Sequence, residues 1–427
     1  MSPEPRIAGD ERAGWRALGL LIVGYVGVYL CRKNLSVAVP LLQHHFGATK
    51  AEVGGIATVG TVAYFAGKFV NGPVVDWLGG RRGLLLSMVV VGLFGAAGAF
   101  APGLVVLSAL YGVNRFAGSA SWGAMLKLVP TWFGAARTGT AVAVLSLSYV
   151  AGSALATVLA AQIAAAGGGW RAVMGLPSLV LAAILVVCFF TVRPGPLGTP
   201  PPAKASPSAP AEPRPDLLPV LLKLFARPQF LVTLALSFTL TLMRESFNIW
   251  SVDFLSSIQG GTGSVTTAGW QSTGFDIAGG VSILAAGVAY DRVRPSRRRW
   301  MMAGCLGLLA VVVAALPRVA AVSAGGAAVL VGAVGLLVYG PYSLLAGALA
   351  IESGGKEAAA TAAGIIDGVG YVGGALAGSA LGKLLDVGGY PLGFQVLAGV
   401  TLVSALISLG LKPATPVDAE VAAGTAA

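Results

Sequence analysis

The chain is dominated by apolar stretches too long and too numerous for a soluble core. A helix crossing a bilayer needs about 20 mostly apolar residues, and twelve segments of that kind follow one another. Their approximate limits are 16–43, 53–75, 83–101, 103–127, 138–165 and 171–192, then 228–257, 267–290, 300–317, 322–350, 361–385 and 390–411. Only 11% of the 427 residues are charged and 56% are hydrophobic, whereas soluble domains carry about 25% charged residues. In lipid every backbone N–H and C=O must find its partner internally, so such segments must be helices. The pattern therefore predicts an all-α membrane protein with twelve transmembrane helices in two six-helix repeats. The expected parts are an N-terminal six-helix bundle over 1–192, a Pro/Ala-rich cytoplasmic linker over 193–227 and a C-terminal bundle with a short tail over 228–427. The polar opening, Met1 to Arg12, and the length of the first apolar run predict no cleavable signal peptide.

Lys and Arg in short loops set the orientation. They collect at the even-numbered connections: Arg81 and Arg82; Lys127 and Arg137; the linker; Arg292, Arg294, Arg297, Arg298 and Arg299; and Lys356. Arg6, Arg12, Arg16 and Lys412 place both termini on that same side. The odd-numbered connections carry little beyond Lys50, Arg171 and Arg318. Both ends are expected to be cytoplasmic, in a multi-pass inner-membrane protein. The net charge of +11 is accounted for by these loops, so no nucleic-acid partner is expected. Cys31, Cys188 and Cys305 lie in separate segments without metal-ligand spacing, and His44 and His45 have no Cys or carboxylate neighbour in sequence. Neither a metal nor a cofactor is expected. No phosphate-binding glycine loop of the kind that drives ATP-dependent pumps occurs.

Two arginines, Arg32 and Arg244, sit inside apolar segments at corresponding places in the two halves, 212 positions apart. An ionised side chain at mid-bilayer costs roughly 2.5–3.5 kcal/mol on insertion scales, so one that is present faces a polar cavity or a partner and marks function. A second marker repeats at nearly the same offset. Gly72-Pro73-Val74-Val75-Asp76 is followed by Arg81 and Arg82, and Gly287-Val288-Ala289-Tyr290-Asp291-Arg292 by Arg297 and Arg298. Internal repetition of this kind is the mark of a carrier built from parallel repeats. At these loops an Asp can pair or cap at a helix end while the arginines anchor to neighbouring helix termini. Gly72, Asp76, Arg81, Arg82, Gly287, Asp291 and Arg292 are thus candidates for a charge network that gates conformational change.

The loop GPVVDWLGGRR resembles the cytoplasmic signature of the major facilitator superfamily. The segments GYVGVYLCRKNLSVAVPLL, TVGTVAYFAGKFVNGPVVD, LTLMRESFNIWSVDFL and AIESGGKEAAATAAGIIDGVGYVGG resemble, more narrowly, its organophosphate:phosphate antiporters. That resemblance implies a secondary transporter, not an enzyme, exchanging a sugar phosphate, glycerol phosphate or phosphoglycerate for inorganic phosphate by alternating access. The site is expected between the halves, and the carrier is expected to be a monomer. Carried over by position, Arg32 and Arg244 would bind the phosphoryl group and Lys68 would contact it. Tyr25, Tyr29, Tyr64, Tyr149 and Tyr371 would line the site, Tyr149 standing where one member has a histidine. Asp276 aligns with a family glutamate. Glu245, directly after Arg244, and Asp367 are additional acids for charge pairing or proton coupling, and Ile249 replaces a family acid. Arg115, in NRFAGSASWGA, resembles an arginine that many facilitators link to proton coupling, and a structural role fits it equally. Two other readings remain: a proton-coupled carrier of a non-phosphorylated organic anion, and a membrane sensor of sugar phosphates.

The chemistry fits the same residues independently. A phosphate monoester near neutral pH carries about −1.5 to −2 charge and three strong acceptor oxygens. Guanidinium forks match those oxygens with paired hydrogen bonds, and lysine adds a mobile point charge.

Overall fold

The computed structural model describes residues 8–133, 135–195, 222, 224–260, 264–345 and 349–411. Most of the 193–227 linker, the tail from Lys412 onward and Arg6 lie outside them, as do the side chains of Asp291 and Lys356. The described chain is all α-helical in its regular structure. Its helices are α1 (Ala8–Lys33), α2 (Leu35–Phe46), α3 (Lys50–Leu78), α4 (Gly80–Gly98), α5 (Leu104–Trp132), α6 (Ala135–Ala165) and α7 (Trp170–Thr191). There follow α8 (Pro228–Gln259), α9 (Ser264–Arg292), α10 (Pro295–Ala320), α11 (Ala324–Leu344), α12 (Ala350–Leu376) and α13 (Ser379–Ser408). Among the described residues ten helical spans are long and apolar enough to cross a membrane. Large apolar side chains such as Leu93, Leu179, Leu284, Val311 and Leu406 stand exposed on them, which suits helices solvated by lipid.

The first apolar run forms two helices instead of one. Asn34 interrupts it directly after Arg32 and Lys33. Its buried side chain donates to the carbonyls of Val173 and Met174 in α7, at 3.1 and 3.2 Å. A side-chain amide that satisfies backbone acceptors on another helix pins the break to one depth, and with it the end of α1 that carries Arg32. Helix α13 carries a second irregularity, at Gly389, whose φ of 63° is the left-handed region that glycine alone enters without strain.

The chain divides into two compact units. Unit 1 comprises 1–42 and 59–210; unit 2 comprises 43–58 and 211–427. In unit 1, α1 packs on α6 and α7, and α4 lies against α5 and α7. In unit 2, α8 packs against α9, α11, α12 and α13 and buries most of its length, including Thr233, Ser237, Thr239, Thr241, Glu245 and Asp253. A helix enclosed on so many sides can hold polar groups that lipid would not tolerate, which is where Arg244 sits. Close helix approach is achieved through small residues: a Cβ on Gly335 of α11 would overlap the backbone carbonyl of Phe275 on α9.

Candidate functional site

In unit 1, three helices bring their polar residues together. Helix α1 supplies Tyr25, Tyr29 and Arg32, which lie on one face because the intervals of four and three residues each close about one helical turn. Helix α3 supplies Tyr64 and Lys68, and α5 supplies Tyr111, Asn114 and Arg115. Arg32 Nη1 donates to the Tyr29 hydroxyl at 3.3 Å. The Arg32 guanidinium carbon stands 4.9 Å from the centroids of both the Tyr29 and the Tyr64 rings. Tyr25 meets Tyr29 edge-on at 5.1 Å and Trp122 at 5.6 Å, so the aromatic wall is itself held. The Tyr111 hydroxyl donates to the Arg32 carbonyl at 2.9 Å, and Asn114 donates to the Val91 carbonyl at 2.8 Å. Tyr25, Val28, Tyr29, Arg32, Tyr64, Asn114, Arg115 and Gly118 line one narrow pocket.

Arg115, which the sequence leaves between proton coupling and a structural role, also lines this pocket. It is 4% exposed and its guanidinium carbon lies 4.6 Å from the Tyr64 centroid. Gly60, on α3, makes room for it: a Cβ there would run into the Tyr111 ring and Arg115 Cγ. Lys68, one turn beyond Tyr64, is exposed, with its ammonium 5.7 Å from the same ring. Tyr149 packs against the hydrophobic core of unit 1, as Tyr29 also does. It belongs to α6, which buries against α1.

In unit 2 the arrangement around Arg244 differs. Arg244 Nη2 donates to Glu245 Oε1 at 2.7 Å. Its guanidinium carbon lies 4.3 Å from the Tyr342 ring centroid, and Tyr339 and Tyr371 fall within electrostatic reach. Asp276 is 1% exposed and accepts from the Tyr339 hydroxyl at 3.3 Å. Asp367 is half-buried on α12, one turn before Tyr371. Sequence reasoning missed Tyr339 and Tyr342; their three-residue spacing on α11 around Pro341 was the available signal. His44 and His45 are exposed.

The repeated loops occupy helix ends. Lys127 Nζ pairs with Asp76 Oδ1 at 2.8 Å and also donates to the Asp76 carbonyl at 3.0 Å, linking the ends of α3 and α5. Arg81 donates to the carbonyls of Phe189 and Val192 at 2.6 and 2.7 Å, closing off acceptors that the end of α7 leaves open. Gly72 and Arg82 are exposed. In the second copy Gly287 and Arg292 are likewise exposed. There Arg298 stacks on Tyr290 at 3.9 Å.

These positions can be set beside known proteins. Residues 21–378 match the sequence profile of the Major Facilitator Superfamily. The chain is 27% identical to a probable hexose phosphate transport protein of Chlamydia pneumoniae, over 92% of this chain and 90% of that one. It is also 27% identical to the membrane sensor protein UhpC of Escherichia coli K12, over 95% and 94%. Among solved structures it resembles a bacterial homologue of the human lysosomal transporter Spinster in its inward-facing, occupied conformation. The TM-score is 0.74 at 12% identity, covering 95% of this chain and 98% of that one; at that identity the likeness concerns the fold alone. With a family profile matched over most of its length, this chain belongs to the Major Facilitator Superfamily and is a multi-pass membrane transporter, not an enzyme.

Proposed function

We propose that the protein exchanges a phosphorylated organic anion, of the sugar phosphate, glycerol phosphate or phosphoglycerate class, for inorganic phosphate by alternating access. The observation that carries this reading is the Arg32 pocket: a guanidinium in a ring of tyrosines, where one fork and several hydroxyls can meet phosphoryl oxygens. The similarity to a probable hexose phosphate transport protein points the same way. In this reading Arg32 and Arg244 each take part in holding the anion, Lys68 contributes charge, and the tyrosines orient the group. Moving a cationic site through its cycle without an anion leaves charge uncompensated in a low-dielectric region, which favours exchange over net flux.

The proposed topology is twelve spans with both termini and the linker cytoplasmic, in an inner-membrane monomer. It follows if α5, interrupted by Arg115 and Lys127, also spans, and if the 361–408 apolar run is counted as α12 and α13 separately.

The test is uptake of labelled phosphate into proteoliposomes loaded with unlabelled phosphate, with and without a pH gradient. Exchange that requires internal phosphate and is competed by external sugar or glycerol phosphates is expected. Near-normal exchange by Arg32→Lys or Arg244→Lys would sink the assignment. Uptake of another anion driven by the pH gradient alone would instead identify a proton-coupled carrier with Glu245 and Asp367 as coupling acids. The similarity to a membrane sensor protein gives a third outcome its weight: phosphate-ester binding without flux would identify a sensor.

A further inference from the structure

We propose that the short connection between α9 and α10 binds the headgroup of an anionic phospholipid, held by Arg292, Arg294, Arg297 and Arg299 with Trp300 beside them. The site shares no residue with the surroundings of Arg32 and Arg244, and it does not depend on which solute the carrier moves.

The charge there is unbalanced. Five arginines fall within 292–299. Between Asp276 and Glu352 the sequence has a single acid, Asp291, which can neutralise one of them. Among the described residues no carboxylate pairs with Arg292, Arg294, Arg297 or Arg299. Arg292, Arg294 and Arg297 are exposed. Arg299 Nε is buried without a hydrogen-bond partner among the described residues. Arg297, Arg298 and Arg299 open α10 directly after Pro295 and Ser296, with no acid in that first turn and no side-chain cap. The amino end of a helix carries partial positive charge, so cations are disfavoured there and anions favoured. Backbone and side chains therefore ask for the same ligand.

The place of these arginines in the helices identifies that ligand as a lipid headgroup. The connection joins two helices long and apolar enough to cross a membrane, so it lies at the bilayer surface. On α9, Ile277, Val281, Leu284 and Val288 are exposed at intervals of three or four residues, and Arg292 continues the same face. On α10, Arg297 and Trp300 share a face with Leu308 and Val311, all of them exposed. Each of these two faces is an apolar strip for lipid chains to cover, and each ends in arginine at the level where headgroup phosphates lie. Trp300 suits that level, where indoles collect, and the Arg299 guanidinium stands 5.7 Å from its ring centroid. Clustered arginines beside a membrane span attract anionic lipid. A soluble phosphate would use the arginines and gain nothing from the strips. A zwitterionic lipid would use the strips and bring a cation of its own to the arginines.

The experiment is equilibrium binding of short-chain phosphatidylglycerol and phosphatidylcholine to the purified full chain in uncharged detergent, read from the masses of intact complexes. Wild type is compared with Arg297→Gln/Arg299→Gln, with Arg297→Lys/Arg299→Lys, and with a control pair in unit 1, Arg12→Gln/Arg16→Gln. Each is first shown to be monodisperse. Wild type should bind phosphatidylglycerol at least about tenfold more tightly than phosphatidylcholine. The Gln pair should lose most of that preference, the Lys pair should keep most of it, and the control should keep all of it. Equal binding of the two lipids by wild type overturns the proposal. So does a Gln pair that keeps the full preference, and so does an equal loss in the control pair, which would mean that net charge alone is at work. If the Gln pair fails to fold, Arg294→Gln, placed before the helix, takes its place: a loss of about threefold is expected, and an unchanged preference overturns the proposal. Labelled inorganic phosphate that competes with phosphatidylglycerol at equal concentration would mark a site for soluble anions and overturn it likewise.

Discussion

Arg244 donates to Glu245, its immediate neighbour in the sequence, at 2.7 Å. Consecutive residues on a helix do not naturally face each other, so both side chains must bend toward one point between α8 and Tyr342. An anion approaching Arg244 competes with a carboxylate already there. Glu245→Gln should remove that competitor, lowering the half-saturation concentration for phosphate exchange roughly three- to tenfold. The same change leaves Arg244 without its counter-charge, so the unliganded protein should melt earlier and phosphate should raise its midpoint by more than in wild type. Thermal midpoints across a phosphate titration test both signs. An identical phosphate dependence in variant and wild type would place Arg244 outside the anion site.

Tyr64 is the shared ring of unit 1, with Arg32, Arg115 and Lys68 all within 6 Å of its centroid. Tyr64→Phe keeps the π face and should leave the phosphate half-saturation within about threefold of wild type. Tyr64→Leu keeps comparable bulk without the quadrupole, and cation–π contacts away from water are worth about 2 kcal/mol. It should raise the half-saturation about tenfold or more. Equal behaviour of Phe and Leu in phosphate counterflow would show that the ring serves only as packing.

Much of this was legible in the chain, and the rest was not for a physical reason. The membrane class follows from apolar run lengths, and the Tyr25–Tyr29–Arg32 face from helical spacing, because both are local. Tyr64 and Lys68, four residues apart, are pointed to by the family resemblance. That Arg32 and Arg115 line one pocket depends on how α1, α3 and α5 pack, which no interval along the sequence encodes. The break at Asn34 was equally hidden, since its cause is two carbonyls on α7. Tyr149, which alignment points at the site, packs against the same unit 1 core as Tyr29.

The contact between α9 and α11 runs through Gly335, where a Cβ would overlap the Phe275 carbonyl. The overlapped atom is backbone, so a side-chain rotation cannot relieve it. Gly335→Ala should separate the two helices at a cost of about 1–3 kcal/mol. The movement should disturb Tyr339, one turn along, and through it Asp276. Gly307, with nothing within 4 Å of its would-be Cβ, provides the matched control on α10. Thermal unfolding in detergent should show a clear loss for Gly335→Ala and none for Gly307→Ala. Comparable midpoints for the two variants would contradict the close packing.

Asp253, on α8, gathers three groups within unit 2. It forms an ion pair with Lys50 and accepts from the Tyr390 hydroxyl at 2.5 Å and from Gln43 Nε2 at 3.0 Å. The Lys50 ammonium also stands 5.1 Å from the Tyr390 ring centroid. At the backbone of the same residue, Asp386 accepts the N–H groups of Lys50 and Ala51 at 2.8 and 2.9 Å, using donors that the start of α3 leaves open. These bonds seat residues 43–58 in unit 2. Removing only the carboxylate strands a cation and two polar groups in a largely buried site. Asp253→Ala should therefore destabilise the protein by roughly 3–5 kcal/mol. Replacing both charges, Lys50→Met with Asp253→Leu, removes the uncompensated cation and should recover part of that loss, a coupling that a double-mutant cycle isolates. Tyr390→Phe, which deletes one donor and keeps the ring, should cost about 1 kcal/mol. Unfolding midpoints of the single and double variants decide the matter: simple additivity of the Lys50 and Asp253 changes would mean that the two charges do not hold each other.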